Sequence, residues 1–171
     1  MRLSRERLED LRDKLQRRGR RPSMLFPAGR PDLAEAIEIM QQYGAMCEAL
    51  YLMMAADRRV LNVEREVMRG ALDVLSNGLV RTAHMEAMID AAARRAAEEG
   101  EDQRLQKVID VLAADPVRAE TTLVLAAAVA AADNRITPEE QRVFQVLAEG
   151  LNIGDERVSS LLDELSQSVA G

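Results

Sequence analysis

The sequence predicts an all-α protein, and three observations support that fold class. Residues that favour helices dominate the 171 positions, with only 9 glycines, 5 prolines and 2% aromatic residues. Apolar side chains recur at helical spacing, and no segment alternates in the way a half-buried strand does. An octapeptide also recurs, at an offset of 76 residues. This length favours one domain with a real core over two full domains.

The first predicted element is a short arginine-rich helix with Leu8, Leu11 and Leu15 as a thin apolar stripe. Residues 1–30 carry ten basic and four acidic residues, whereas the chain as a whole has a net charge of −6. A connector containing three prolines follows this helix. We therefore predict a basic arm and connector over 1–30 and a helical domain over 31–171.

Seven helices are predicted in that domain, from helical spacing and from capping signals at their starts. Asp115-Pro116 and Thr137-Pro138 are typical of an N-cap followed by proline. Gly44 either interrupts the first of these helices or is tolerated within it. We predict a compact bundle of about seven helices in two pseudo-symmetric halves, plus the N-terminal basic helical arm. The predicted starts lie at or near Asp32, Val63, Thr82, Leu105, Asp115, Thr137 and Asp155.

Methionine supplies much of the predicted core, which we favour over a methionine-lined partner groove. Cys47 is the only cysteine, so an intrachain disulfide and a cysteine-based metal site are excluded. Its apolar neighbours predict a buried thiol. His84 is also alone and forms no zinc site with another histidine or a cysteine. The core methionines are Met46, Met53, Met54, Met68, Met85 and Met88.

The composition predicts a cytoplasmic protein. No apolar leader is visible at the start, and the longest apolar stretch, Leu123–Ala132, is too short to span a bilayer. The excess of arginine and alanine hints at a GC-rich bacterial genome. The basic arm is able to bind nucleic acid or associate with an anionic membrane surface. We favour instead an arm that folds back on the acidic body or is simply solvated, because it has no aromatic residues and its acidic residues dilute the positive field.

The two octapeptides are Asp57–Glu64 and Asp133–Glu140, and both follow an Ala-Ala pair. Residues 50–75 align with 126–151 without a gap, and seven positions are identical. Compositional bias explains the repeated alanines but not the recurrence of Asp, Arg and Glu in one register. We infer an internal duplication, which places two Asp-x6-Glu pairs in equivalent positions.

Asp57 and Asp133 lie near helix C-termini, where a negative charge is unfavourable by about 0.3–1 kcal/mol. A positive charge should compensate. It is supplied either by Arg59 and Arg135, or by a divalent cation held between the carboxylates of both repeats. A site made only of oxygen ligands selects Mg²⁺, Ca²⁺ or Mn²⁺ rather than zinc.

The glutamates have a structural alternative to metal binding. Thr137 and Glu140 form a capping-box pattern with proline at the first helical position, which explains Glu140 without a ligand. In the first copy Leu61 replaces the threonine, so capping explains Glu64 less well.

The doubled Ala-Ala-Asp-x6-Glu motif, opening a helix each time, resembles the TerB-like (tellurite-resistance TerB) superfamily. It is also similar to the N-terminal domain of membrane-anchored J-domain co-chaperones. The resemblance covers about residues 32–169 and leaves the basic arm outside. It implies a bundle of about seven helices with clustered acidic residues at a divalent-metal site. The positions that match are Asp57, Glu64, Asp133 and Glu140, with Glu139 as a candidate auxiliary ligand.

The family pattern usually reads Asp-Gly where this chain has Asp57-Arg58 and Asp133-Asn134. Glycine suits the left-handed turn after a helix. Asparagine also adopts that turn, whereas arginine does so only at a cost. The second copy is therefore expected to be the better preserved half-site.

The favoured function is a non-enzymatic, metal-binding helical module in a stress-response or envelope-associated protein complex. The alternative is a metal-independent interaction adaptor whose basic arm contacts a protein, an anionic membrane or nucleic acid. A metal-dependent hydrolase is disfavoured, because the motif contains no histidine base and the chain has no Gly-rich phosphate loop or nucleophile motif.

Overall fold

A computed structural model describes residues 3–20 and 33–169, and all the regular secondary structure in those ranges is α-helical. The predicted fold class is therefore confirmed. The eight helices correspond to the basic helix of the arm and the seven helices predicted in the body. They are α1 Arg5–Gly19, α2 Leu33–Met54, α3 Asn62–Ser76, α4 Thr82–Glu99, α5 Glu101–Leu112, α6 Pro116–Ala130, α7 Pro138–Gly150 and α8 Asp155–Ser168.

The helix starts lie within four residues of the predicted ones, and Asp115 and Thr137 are N-caps as predicted. Asp115 accepts a hydrogen bond from the Arg118 N–H at 3.3 Å, with proline at the first helical position of α6. Thr82 and Asp155, predicted as caps, are instead the first residues of α4 and α8. α2 continues through Gly44 without a break. The predicted cap Asp32 lies outside the described residues.

The basic helix α1 packs on the body rather than extending from it. Leu8, Leu11 and Leu15 are buried, and α1 contacts α3, α6 and α8. The folding-back alternative for this helix is therefore the one observed. Its closest approach is to α3, where a Cβ on Gly70 would lie 1.9 Å from the Leu15 carbonyl oxygen. A Cβ on Gly19 would lie 1.7 Å from the Glu66 carbonyl oxygen.

Helices α2 and α6 form the centre of the core. α6 is buried continuously over 122–130, and α2 contacts every helix from α3 to α7. The predicted burial of Cys47 and of the six methionines is confirmed, because all seven side chains are at most 3% exposed. Among the described residues, no helix has the length and apolar character needed to cross a membrane.

The contact between α1 and α3 yields a stability prediction. Gly70→Ala should lower the free energy of unfolding by about 3 kcal/mol, because the added methyl meets backbone that has no room to move. Gly44→Ala is the matched control, since a Cβ there meets nothing within 4 Å. It should raise the stability by about 0.5–1 kcal/mol through helix propensity. Urea denaturation measures both, and similar effects at the two glycines would contradict the close approach.

Candidate carboxylate site

Both octapeptides fold into the same turn, one after α2 and one after α6. Arg58 and Asn134 take left-handed backbone conformations, with φ of 62° and 65°. The Arg58 N–H donates to the Ala55 carbonyl at 2.9 Å, and the Asn134 N–H donates to the Ala131 carbonyl at 3.1 Å. The repeat seen in the sequence is therefore a repeat of local backbone geometry.

The aspartate of each octapeptide closes its turn. Asp57 Oδ1 accepts the Arg59 N–H at 3.0 Å, and Asp133 Oδ1 accepts the Arg135 N–H at 3.1 Å. Both aspartates are partly buried, whereas both arginines are exposed. Within the described chain neither arginine side chain forms an ion pair, so the arginines contribute backbone N–H groups here and not charge.

The glutamate of each octapeptide folds back to cap the next helix. Glu64 Oε2 accepts the Leu61 N–H at 3.2 Å, and Glu140 Oε2 accepts the Thr137 N–H at 2.9 Å. In α7 the capping box is complete, since Thr137 Oγ1 accepts the Glu140 N–H at 3.2 Å. In α3 only the glutamate half exists, because leucine has no acceptor. Capping thus explains one oxygen of each glutamate.

The four carboxylates of the two octapeptides lie within electrostatic reach of one another. Glu64 and Glu140 are only 1% and 2% exposed. Burial, followed by the negative charges of Glu140, Asp57 and Asp133, raises the pKa of Glu64 to about 7. Burial, together with Asp57 and Asp133, raises the pKa of Glu140 to about 7. We refer to Asp57, Glu64, Asp133 and Glu140 as the carboxylate cluster.

Glu48 is a buried carboxylate that, unlike Glu64 and Glu140, is paired with arginine side chains. It is 2% exposed and accepts hydrogen bonds from Arg95 and Arg104, the shortest of which are 2.8 Å. Burial opposes its ionisation, yet the bonds from Arg104 and Arg95 hold the pKa of Glu48 below its usual value. Within the described residues, Glu64 and Glu140 have backbone N–H partners but no ion-pair partner.

The cluster is not a preformed ligand set. In residues 3–20 and 33–169, no three Asp, Glu, His or Cys side chains are placed to hold a metal ion together. The fifth candidate, Glu139, is exposed at the start of α7. Any cation would therefore have to draw the carboxylates of the cluster closer together.

Two residues near the core were not anticipated from the sequence. Arg12, from α1, is 8% exposed and donates from Nη1 to the Ala131 carbonyl at 3.2 Å and to Asn134 Oδ1. Its signal was a charge on the apolar stripe of α1, four residues after Leu8. The buried Glu48 gave a similar signal, since it lies within the apolar run of α2.

Comparisons of the chain with protein-family models, with curated proteins and with solved structures found no match.

The raised pKa values predict an unusual dependence of stability on pH. In protein freed of divalent cations, the folded state retains protons between about pH 4.5 and 7 that the unfolded state has released. Stability is therefore highest in mild acid and falls as the pH rises to about 7, by roughly 3 kcal/mol at most for each glutamate. Thermal melts between pH 5 and 8 measure this slope.

The matched variants are Glu64→Gln/Glu140→Gln and Glu139→Gln. The double variant should lose most of the fall in melting temperature over this range, because its amides do not titrate. Glu139→Gln should leave the fall in melting temperature unchanged, because Glu139 is exposed. A wild-type melting temperature that is flat between pH 5 and 8 would contradict the burial of ionisable glutamates.

The left-handed conformation of Arg58 predicts a stabilising substitution. Arg58→Gly should raise the free energy of unfolding by about 0.5–1 kcal/mol, because glycine removes the Cβ strain at φ 62°. Arg58→Ala is the control, since it removes the charge but keeps the strain. Equal stability of the two variants in urea denaturation would show that the backbone is not strained at this position.

Proposed function

We propose that this protein is a non-enzymatic, TerB-like helical module that binds a divalent cation through the carboxylate cluster. The observation that carries the proposal is the burial of two cap glutamates, one from each octapeptide, without an ion-pair partner in the described chain. Uncompensated buried charge is expensive. A hard divalent cation, Mg²⁺, Ca²⁺ or Mn²⁺, would supply the missing positive charge.

The hydrogen bonding leaves oxygen atoms for such an ion. In each carboxylate of the cluster, one oxygen accepts a backbone N–H group. The second oxygen of each has no hydrogen bond to the described residues. Four such oxygens form a donor set that suits a hard cation and disfavours zinc. The backbone bonds hold one oxygen of each carboxylate, and a bound ion would have to draw the four second oxygens together.

The helix contacts support two pseudo-symmetric halves of four helices each. When α1–α4 are matched in order with α5–α8, the contacts of α1 with α3, α6 and α8 correspond to those of α5 with α7, α2 and α4. The pairs α2–α4 and α6–α8 correspond as well, as do α3–α6 and α7–α2. On this arrangement α1 is the first helix of the first half rather than an appended arm.

The TerB-like resemblance adds a setting for the module. It suggests a protein partner within a stress-response or envelope-associated complex, and it suggests that the ion has a structural role. The octapeptides contain no histidine base and the chain has no recognisable nucleophile motif, which argues against hydrolysis. The adaptor alternative draws support from one observation, the self-contained capping role of Glu140.

Melting in the presence of metal tests the proposal. At pH 8, free Mg²⁺, Ca²⁺ or Mn²⁺ at 100 times its dissociation constant should add about 2.7 kcal/mol, which is several degrees for a protein of this size. At pH 5.5 the same ion should add less, because protons on Glu64 and Glu140 compete with it. Unchanged melting at pH 8 with all three ions would refute cation binding and favour the adaptor.

Asp57→Asn and Asp133→Asn separate the half-sites. Each amide keeps an oxygen that can accept the backbone N–H but removes the charge that the ion requires. The double variant should lose the metal shift and, without metal, melt higher than the wild type because repulsion is relieved. Glu139→Gln is the control and should retain the shift.

A further inference from the structure

We infer that docking of α1 and cation binding at the carboxylate cluster are linked, with Arg12 as the positioning residue that couples them. The inference rests on the proposed function and concerns the regulation of that site. Its physical basis is a contact between residues 122 positions apart, from Arg12 Nη1 on α1 to Asn134 Oδ1 in the second octapeptide.

Arg12 is hydrogen-bonded to the chain on both sides of Asp133, to a backbone carbonyl before it and to a side chain after it. Its Nη1 group donates to the carbonyl of Ala131, two residues before the aspartate, and to the side chain of Asn134, one residue after it. Asn134 is the left-handed residue of the turn. The orientation of the Asp133 carboxylate depends on this turn, because Asp133 Oδ1 is bound to the Arg135 N–H.

Two further donors of Arg12 are used within α1. Nε and Nη2 donate to Asp13 Oδ1 at 2.9 and 2.7 Å. This pairing neutralises much of the guanidinium charge and fixes its plane, so that Arg12 acts on the turn mainly through hydrogen bonds. A positioned guanidinium of this kind orients the backbone of a ligand loop without itself competing for the carboxylates.

The first half-site has no equivalent clamp. Among the described residues, no side chain donates to the Ala55 carbonyl, and Arg58 occupies the left-handed position that Asn134 fills in the second copy. The two half-sites are therefore held differently, one by α1 and one by its own turn alone. A partner that pulls α1 away from α3 would release the second half-site only.

Thermodynamic reciprocity makes the linkage measurable from either side. If α1 docking favours the geometry that binds the ion, the ion must favour α1 docking by the same factor. The helix is held elsewhere by the glycine contacts with α3 and by an ion pair from Arg7 to Asp163 at 2.6 Å. Within the described chain Arg7 forms no hydrogen bond or ion pair with the octapeptide turn, which makes it the matched position for a control.

The experiment compares wild type, Arg12→Met, Arg12→Lys and Arg7→Met, all in the full chain and at a temperature where each is folded. Mn²⁺ and Ca²⁺ titrations give the affinity, and hydrogen exchange of the α1 amides with and without the ion gives the docking. Arg12→Met should weaken ion binding about tenfold and abolish the ion-dependent protection of α1. Arg12→Lys should recover part of the affinity, and Arg7→Met should bind the ion as the wild type does.

The outcomes separate this inference from the proposed function. If the wild type binds no ion, the proposed cation site fails and the linkage fails with it. If the wild type binds but Arg12→Met binds equally well, or if both methionine variants weaken binding alike, only the linkage is overturned. Loss of affinity at Arg12 alone, with ion-dependent protection of α1 in the wild type, supports it.

Discussion

The structure depends on how two helix–turn–helix units bury the glutamates that begin their second helices. Glu64 and Glu140 cap α3 and α7 by accepting backbone N–H groups, and both lie almost completely out of solvent. Capping at this position normally places a carboxylate near water, where its charge is cheap. Here the cap is also a core residue, so that the fold carries two negative charges for which the described chain supplies no counter-charge.

Glu48 differs from Glu64 and Glu140 because it is a buried carboxylate with arginine partners. A fully buried carboxylate elsewhere in the same core is bound by Arg95 and Arg104. The protein has 21 arginines in its sequence, yet Arg59 and Arg135, which are next to the carboxylate cluster in sequence, are exposed and form no ion pair with it in the described chain. Because the described residues supply no counter-charge, protonation in mild acid or a bound divalent cation would satisfy the cluster. A fall in pH favours protonation and weakens cation binding.

The packing shows that the N-terminal helix belongs to the core of the protein. As a sequence it is a basic segment with a thin apolar stripe, for which docking on the body or solvation is favoured over binding to an anionic surface. In the structure its leucines complete the core and its backbone lies against α3 at Gly19 and Gly70. Arg12 then reaches the second octapeptide, which makes the helix part of the environment of the site.

The sequence by itself determined the helices, most of their boundaries, the repeated turn and the identity of the carboxylates. These features are local: periodicity, capping and left-handed turns depend on residues within about one turn of helix. Only the tertiary structure decided that Glu64 and Glu140 are buried together, that the neighbouring arginines do not neutralise them, and that Arg12 holds Asn134. Those outcomes depend on contacts between distant segments, whose geometry is set by packing of the whole core and leaves no local pattern to read.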